Sequence, residues 1–155
     1  MSNGGHVARN LDRSRNLDRS TCLSLLASVG LGRVGLSVDA LPVIVPVRFH
    51  VSGDRILFAL RPSDRTAASV NGVVVAFEAD DVDPMTGAGW TVMVQGPARV
   101  ATDPVTRDGS GQTLLECVDP DDAYELVALS TDVITGWLTG RVLQRGQMPA
   151  TPTPV

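Results

Sequence analysis

Lysine is absent from the sequence, so all 13 of its basic side chains are arginines. An anionic ligand would therefore be held by guanidinium groups, backbone N–H groups or hydroxyls rather than by ammonium groups. The formal net charge is −4 at pH 7, which argues against a protein that holds nucleic acid through bulk positive charge. We therefore expect no nucleic-acid partner.

Cysteine, histidine and aromatic residues are also scarce. The two cysteines, Cys22 and Cys117, lie far apart in a chain that opens without an apolar leader, so we expect reduced thiols and a cytoplasmic location. No apolar run approaches the length of a membrane span, and we expect no membrane partner. The histidines, His6 and His50, do not lie at ligand spacing with cysteines or carboxylates, so no metal site is predicted.

Aliphatic residues are abundant, and valine recurs in short blocks separated by glycine, proline and aspartate. This pattern predicts a mainly-β fold of many short strands with a few short helices. A length of 155 residues suits one domain. We expect that domain to span residues 17–145, between a flexible N-terminal tail, 1–16, and a disordered C-terminal tail, 146–155.

A hexamer, Arg-Asn-Leu-Asp-Arg-Ser, occurs twice in succession, at residues 9–14 and 15–20. Only the second copy is expected to attach to the fold. Asp18 or Ser20 in that copy can cap the helix that follows, which we expect Gly30 and Gly32 to end.

Seven strands are predicted after this helix, and tight turns join the first three of them. Their expected bounds are 33–38, 41–51, 55–60, 73–79, 90–102, 124–129 and 133–142. Gly96 and Pro97 lie in the middle of the longest strand and predict a bulge or a bend there. Long bent strands are what the closure of a small barrel requires.

The stretch from Gly30 to Gly35 matches the pattern G-x-G-x-x-G of dinucleotide-binding proteins. That fingerprint needs a strand before it and a helix after it, so that the pyrophosphate meets a helix N-terminus. Here the predicted order is helix, glycines, strand. We therefore do not expect this stretch to bind a dinucleotide.

Acidic residues cluster at Asp80, Asp81 and Asp83, directly before Pro84. The sequence around them shows no sign of the burial that would perturb a general acid or base, so a solvated loop is expected. A Ser/His/Asp triad is not supported either, because no G-x-S-x-G motif is present and His50 would have to serve alone.

A polar stretch from Arg61 to Thr66 follows directly after a predicted strand and opens a short predicted helix. It brings together two guanidinium groups, two hydroxyls and a helix N-terminus, which is a favourable environment for a phosphate group. The same composition also suits an exposed polar turn. The residues alone leave both interpretations open.

A series of short segments carries a family resemblance: Leu23–Leu26, Val29–Ser37, Leu41–Pro42, Val45–Phe49, Phe77–Asp80, Gly89–Gly96 and Ile134–Gly136. In their order and spacing they resemble the pyridoxamine 5′-phosphate oxidase-like proteins, from about residue 17 to residue 142. The resemblance implies a homodimeric split β-barrel of the FMN-binding type, with six or more antiparallel strands.

The implied function is FMN-dependent oxidation or reduction of an unidentified small molecule, with NAD(P)H as one candidate hydride donor. Two alternatives stay open. One is a reductase that uses the deazaflavin F420, and the other is a non-catalytic split barrel that binds a flavin or another ligand, or no cofactor at all. No side chain is predicted as a catalytic acid, base or nucleophile, as expected where a cofactor carries the chemistry.

The resemblance also implies a set of cofactor contacts: Val45, Pro46, Val47, Arg48, Phe49, Leu60, Arg61, Ser63, Arg65, Thr66, Trp90 and Trp137. Trp90 would lie near the dimer interface, and ordinary packing in the barrel is an equally open interpretation of it. The first five residues of the set would lie along the flavin ring and offer backbone hydrogen bonds. In the phosphate-binding stretch, Leu60 replaces the family's usual Thr, Ser63 its Gly and Arg65 its Lys. The first of these departures removes a hydroxyl contact to the phosphate.

Arg48 and His50 alternate with Val47 and Phe49, so these two polar side chains share one face of a strand. If that face meets the cleft, Arg48 would offset negative charge near the reduced ring and His50 would donate a hydrogen bond to the substrate. If the face meets solvent, both are exterior polar residues. The alternation does not decide between the two.

Overall fold

The computed structural model describes residues 16–61, 70–102, 114 and 124–140. The elements in these ranges are α1 (Arg19–Ala27), β1 (Leu31–Val38), β2 (Leu41–Ser52), β3 (Arg55–Leu60), β4 (Val74–Val82), β5 (Gly89–Val100), β6 (Glu125–Ser130) and β7 (Val133–Thr139). The predicted mainly-β fold is confirmed. Within these ranges, no helix is both long and apolar enough to cross a membrane.

Six of the strands close into an antiparallel barrel. The sheet order is β4-β1-β2-β3-β6-β5-β7, and β4 also pairs with β5, which closes the ring and leaves β7 attached outside it. Two short turns join β1 to β2 and β2 to β3. The predicted split β-barrel with six or more antiparallel strands is therefore confirmed.

Strand β5 belongs to both parts of the sheet. Its residues Gly89–Gln95 pair with β7, whereas Ala98–Val100 pair with β6. The change of partner falls at Gly96 and Pro97, where the sequence predicts a bulge or a bend. Since proline lacks an N–H donor, it fits the position where one ladder ends and the next begins.

The barrel interior is filled by aliphatic side chains around the three phenylalanines of the chain. Phe77 on β4 meets Phe49 edge to face, with ring centroids 4.8 Å apart, and stacks against Phe58 at 6.4 Å. Gly32 lies against the same ring, because a Cβ there would come within 2.6 Å of Phe77 Cζ. This glycine therefore serves barrel packing, and its strand begins at Leu31, two residues before the predicted start.

The second copy of the hexamer is fastened to the barrel, while residues 9–14 lie outside the described residues. The N–H of Leu17 donates to the carbonyl of Gly136 on β7 at 2.8 Å. Asp18 caps α1 by accepting from the N–H of Thr21 at 2.8 Å. The helix ends at Ala27 with Ser28 as its C-cap. The prediction that Gly30 and Gly32 end it was therefore wrong by at least three residues.

Strand β4 continues further than predicted and includes Asp80 and Asp81. Asp80 is half-buried rather than in a solvated loop, and its Oδ1 accepts from Nη1 of Arg33 on β1 at 2.7 Å. The expected acidic loop is wrong for these two residues. Neutralisation by an arginine on a neighbouring strand explains how carboxylates occupy strand positions.

Candidate functional site

Strand β2 pairs with different strands on its two edges, and each ladder covers only part of its length. Residues Leu41–Arg48 pair with β1. On the opposite edge, β3 pairs only with Phe49–Ser52. Residues 41–48 of β2 therefore have no strand on that side among the residues that the structure describes. We call this side of residues 41–48 the open edge.

The hydrogen-bond phase of β2 shows which backbone groups face the open edge. The N–H of Phe49 donates to the carbonyl of Gly30, on the β1 side, at 3.2 Å. Because successive residues of a strand direct their N–H and C=O groups to opposite edges, residues at even positions face away from β1. The backbone groups of Pro42, Ile44, Pro46 and Arg48 therefore point to the open edge.

The two sides of β2 also separate the predicted ring-contact residues. Val47 and Phe49 are buried in the barrel, and Val45 is partly buried against the same core. Pro46, Arg48 and His50 are exposed on the outer face. The exposed alternative for Arg48 and His50 is thus the one observed in the single chain, and both side chains are available to a ligand or a second copy there.

The predicted phosphate stretch begins where β2 and β3 separate. The last residue pair between the two strands is Phe49 with Phe58, and Leu60 follows two residues later. The Leu60 side chain is 2% exposed and packs in the core, so only its backbone can meet a ligand. Ser63, Arg65 and Thr66 lie outside the described residues.

Arg61 follows β3 directly and contacts the residue that precedes β6. Its Nε donates to the hydroxyl of Tyr124 at 3.2 Å, and its guanidinium lies 5.7 Å from the centre of the tyrosine ring. The exposed arginine is therefore oriented by an aromatic neighbour. It places a fixed positive charge at the mouth of the gap between β2 and β3.

The two tryptophans lie on β5 and β7 rather than on the strands that form this mouth. Trp90 is 8% exposed and belongs to the core. Trp137 lies on β7, half-buried, opposite Thr91 of β5. Three strands, β1, β4 and β5, lie between β2 and β7 in the sheet order. At roughly 4.8 Å per strand, Trp137 is about 19 Å from the open edge along the sheet.

An apolar groove lies on the outer face beside the open edge. Its volume is about 330 Å³, and small residues Gly35 and Ala76 form its floor between the larger Ile44 and Val74. Both larger side chains are 70% exposed. A contiguous apolar surface of this kind marks a binding or assembly surface. Sequence reasoning missed it because the strand pattern alone did not show which face lacks a cover.

An ion-pair cluster borders the groove on β1 and β4. Arg33 Nη1 lies 3.1 Å from Glu78 Oε2 and 2.7 Å from Asp80 Oδ1. Burial raises the pKa of Glu78, and the neighbouring carboxylate of Asp80 adds to this effect, while the hydrogen bond from Arg33 opposes it. One guanidinium therefore balances two carboxylates, and the cluster has no surplus positive charge to offer an anionic ligand.

The proline pattern is the signal that could have located the open edge. Two prolines four residues apart in an otherwise strong strand fit only an edge without a partner strand, because each removes a ladder donor. The sequence contains that signal at positions 42 and 46. The position of these prolines agrees with the family resemblance of Val45–Phe49, which predicts backbone contacts to a ring in the same part of β2.

Comparison with known proteins agrees with this architecture. The chain is 38% identical over 125 residues to the uncharacterized protein Rv0080 of Mycobacterium tuberculosis, covering 77% of this chain and 82% of that protein. It resembles the FAD binding protein from Mycobacterium smegmatis, with a TM-score of 0.66, 28% identity and coverage of 82% of this chain and 98% of that chain. A conserved protein of unknown function from Corynebacterium diphtheriae gives a TM-score of 0.66 at 25% identity, over 81% of this chain and 97% of that one.

A family model supplies the classification. The model described as pyridoxamine 5′-phosphate oxidase matches residues 18–136, which include α1 and all strands of the barrel up to the middle of β7. The chain therefore belongs to the pyridoxamine 5′-phosphate oxidase family.

Proposed function

We propose that this chain is an FMN-dependent oxidoreductase whose flavin ring lies against the open edge of β2. The observation that carries the proposal is the gap between β2 and β3. The backbone groups of Ile44, Pro46 and Arg48 lie on one side of this gap and have no strand partner there among the described residues. The predicted phosphate stretch begins on the other side, at Leu60 and Arg61. The proposed ring and phosphate contacts are therefore close enough to suit a flavin mononucleotide.

The residues present fit a flavin. The open edge offers a polar ring edge N–H and C=O groups that have no strand partner among the described residues, Arg48 is an exposed cation on the same strand, and Arg61 is held at the mouth by Tyr124. A bound flavin would supply the hydride-accepting centre for a small substrate or for NAD(P)H. The protein's own contribution is to position the ring and to offset the negative charge of its reduced form.

We also propose that the chain forms a homodimer through the apolar groove. The apolar groove of Gly35, Ile44, Val74 and Ala76 adjoins the open edge and suits an isologous contact, in which the same patch is buried on both subunits. Trp137 lies on β7, and three strands separate β7 from β2 in the sheet order. We propose that in a homodimer the tryptophan of one subunit lies near the flavin site of the other.

FAD and the deazaflavin F420 are the competing cofactors. The likeness to the FAD binding protein from Mycobacterium smegmatis, at 28% identity, supports FAD as the alternative to FMN. F420 has a long anionic tail that needs a basic groove, and the cluster around Arg33 has no surplus positive charge to offer it. A non-catalytic flavin carrier would share the same edge and differ only in lacking turnover.

The cofactor is tested with the purified full-length chain. Its absorption spectrum should show the two visible bands of oxidised flavin, either as isolated or after addition of FMN and desalting. Chromatography of the cofactor released by heat identifies it as FMN, FAD or F420. A colourless protein that retains none of the three after incubation would overturn the flavoprotein proposal. Bleaching by NADPH or NADH under anaerobic conditions would support the oxidoreductase and not the carrier.

The assembly is tested by light scattering coupled to gel filtration. We expect a dimer for the natural chain and a monomer for Ile44→Asp, because the substitution puts a charge into the middle of the apolar groove. Met85→Asp is the matched control, since Met85 is 94% exposed in the turn between β4 and β5 and should leave the dimer intact. A monomeric natural chain would contradict the proposed assembly.

A further inference from the structure

Gly35 lies in the middle of β1, where the strand is paired on both edges. Ile44 of β2 is its partner on one side, and Ala76 of β4 is its partner on the other. A glycine inside a strand weakens the strand relative to alanine, and it often marks a bend or the close approach of another group. The absence of a side chain at position 35 therefore costs β1 stability.

Packing within the chain does not require this glycine. A Cβ at Gly35 would lie 3.7 Å from the carbonyl oxygen of Ala76 and 3.9 Å from its Cβ, which are ordinary van der Waals distances. The φ angle of Gly35 is not positive either. Gly32 differs, because it faces the barrel interior and a Cβ there would meet Phe77. What Gly35 provides is space on the outer face of the sheet.

This space is the floor of the apolar groove. Gly35 and Ala76 form the floor, and the exposed side chains of Ile44 and Val74 stand beside it. Residues 44, 35 and 76 are neighbours in one row across β2, β1 and β4. A socket that is almost without side chains thus lies next to an exposed branched side chain in the same row.

We propose that this floor is a socket for Ile44 of a second copy of the chain. A two-fold axis normal to the sheet and close to Gly35 carries Ile44 of each subunit over Ala76 of the other, and the two glycines then face each other. Without side chains at the axis, the two sheets can approach more closely than the ~10 Å of an ordinary sheet pair. The inference rests on the homodimer proposed above and adds the side chain and the socket that form it.

The charges on this face are compatible with such an axis. Positions two residues before and two residues after the row exchange places across it, so Arg33 lies over the partner's Ser37 and Glu78 lies over the partner's Pro42. Arg33 is already paired with Glu78 in its own chain, and no two like charges meet. The groove itself is lined by uncharged residues. A neutral apolar side chain therefore suits it, and a second copy supplies one in Ile44.

Filling the socket tests this inference. The dimer dissociation constant is measured by sedimentation velocity over a dilution series of the full-length chain. Gly35→Val should raise it about 10-fold or more, because the new side chain occupies the place of the partner's Ile44. Gly35→Ala should raise it less. Gly30→Ala is the matched control, since nothing lies within 4 Å of its Cβ position and the residue is outside the groove, so it should leave the constant within about 2-fold.

The outcomes separate this inference from the proposed dimer. If Gly35→Val dimerises as the natural chain does, the socket is wrong and the homodimer stands. A natural chain that is monomeric overturns both. Circular dichroism establishes that each variant is folded, and Gly35→Ala replaces Gly35→Val if the larger substitution prevents folding.

A mixture of two weakened variants distinguishes the contact between subunits from an effect within one chain. Ile44→Ala shortens the side chain that enters the socket and should also weaken the dimer. In a mixed dimer of Gly35→Val and Ile44→Ala, the filled socket meets the shortened side chain, and the other socket and its side chain are natural. Native mass spectrometry of an equimolar mixture should therefore show the mixed dimer in more than its statistical proportion. A statistical proportion would contradict the insertion of Ile44.

Discussion

Arg19, at the start of α1, holds the buried Thr131 that joins β6 to β7. Its guanidinium donates to the carbonyl of Thr131 and, through Nη2, to the threonine Oγ1 at 2.8 Å. The same hydroxyl donates to the carbonyl of Asp54 at 2.8 Å, in the turn between β2 and β3. One arginine of the hexamer thus fixes two turns at the same end of the barrel.

Replacement of Arg19 by Ala should lower the free energy of unfolding by about 1–3 kcal/mol, because the buried Thr131 oxygens lose their charged donor. Chemical denaturation followed by circular dichroism measures the change. Arg99→Ala is the matched control, since Arg99 is exposed on β5, and it should change stability by less than about 0.5 kcal/mol. Equal losses in the two variants would show that the Thr131 contact contributes nothing.

The turn between β1 and β2 carries strain that glycine would relieve. Asp39 and Ala40 have φ values of 50° and 65°, a region that costs about 1–2 kcal/mol for residues with a Cβ. Ala40→Gly should therefore raise the free energy of unfolding by about 0.5–1 kcal/mol. Gly53→Ala is the converse control at φ 59° and should lower it by about 1 kcal/mol. A destabilising Ala40→Gly would contradict the assignment of strain.

Gly136 on β7 is required by the packing of α1. A Cβ at this position would lie 2.5 Å from Cys22 Sγ and 3.2 Å from Val92 Cγ2. Gly136→Ala should therefore cost about 1–3 kcal/mol, while Gly30→Ala, with no atom within 4 Å of its Cβ position, should cost far less. Thermal melts measure both.

A double variant identifies the clash. Cys22→Ala removes the sulfur that a Cβ at Gly136 would meet, so the pair Cys22→Ala/Gly136→Ala should be more stable than the sum of the single losses predicts. Simple additivity would place the strain elsewhere, for instance against Val92.

The stability contribution of Glu78 should depend on pH. Burial raises the pKa of this carboxyl above its ordinary 4.5, so the folded protein holds the proton over a range in which the unfolded chain has lost it. Stability therefore falls as pH rises through that range. Glu78→Gln removes the penalty, so its melting temperature should exceed that of the natural chain at neutral pH. The difference should shrink as pH falls below 4.5, and a difference independent of pH would contradict the assignment.

The fold was predictable where local chemistry decides it. The tight turns after β1 and β2 are encoded by adjacent residues, and the structure has them in place. At Gly96 and Pro97, β5 continues as one strand and changes its partner on one edge. The extension of β4 through Asp80 and Asp81 was not predictable, because it depends on Arg33, which is 47 residues away from Asp80 in the chain. Local sequence predicts a loop at such a carboxylate, because its partner on the neighbouring strand is not part of that sequence.

The site was predictable in part for the same reason. The stretch Val45–Phe49 could be singled out from the sequence by family resemblance, and the structure brings it next to Leu60 and Arg61. Which backbone groups of β2 lack a partner strand depends on the residue at which β3 stops pairing with β2, and local sequence does not determine that residue. The core placement of Trp90 agrees with barrel packing, one of the two interpretations that the sequence left open.

The ladders between neighbouring strands of the barrel differ in length, and we expect transient opening of the barrel at the short ones. The strands β1 and β4 pair only along Arg33–Gly35, and β5 meets β6 only along Ala98–Val100, whereas β1–β2 and β4–β5 are long ladders. We expect these two short ladders to open before the long ones. Their amide hydrogens should therefore exchange with solvent earlier than those of the β1–β2 and β4–β5 ladders. The hydrogen bond from Arg33 to Asp80 joins β1 to β4 at the first of these short ladders and should slow its opening.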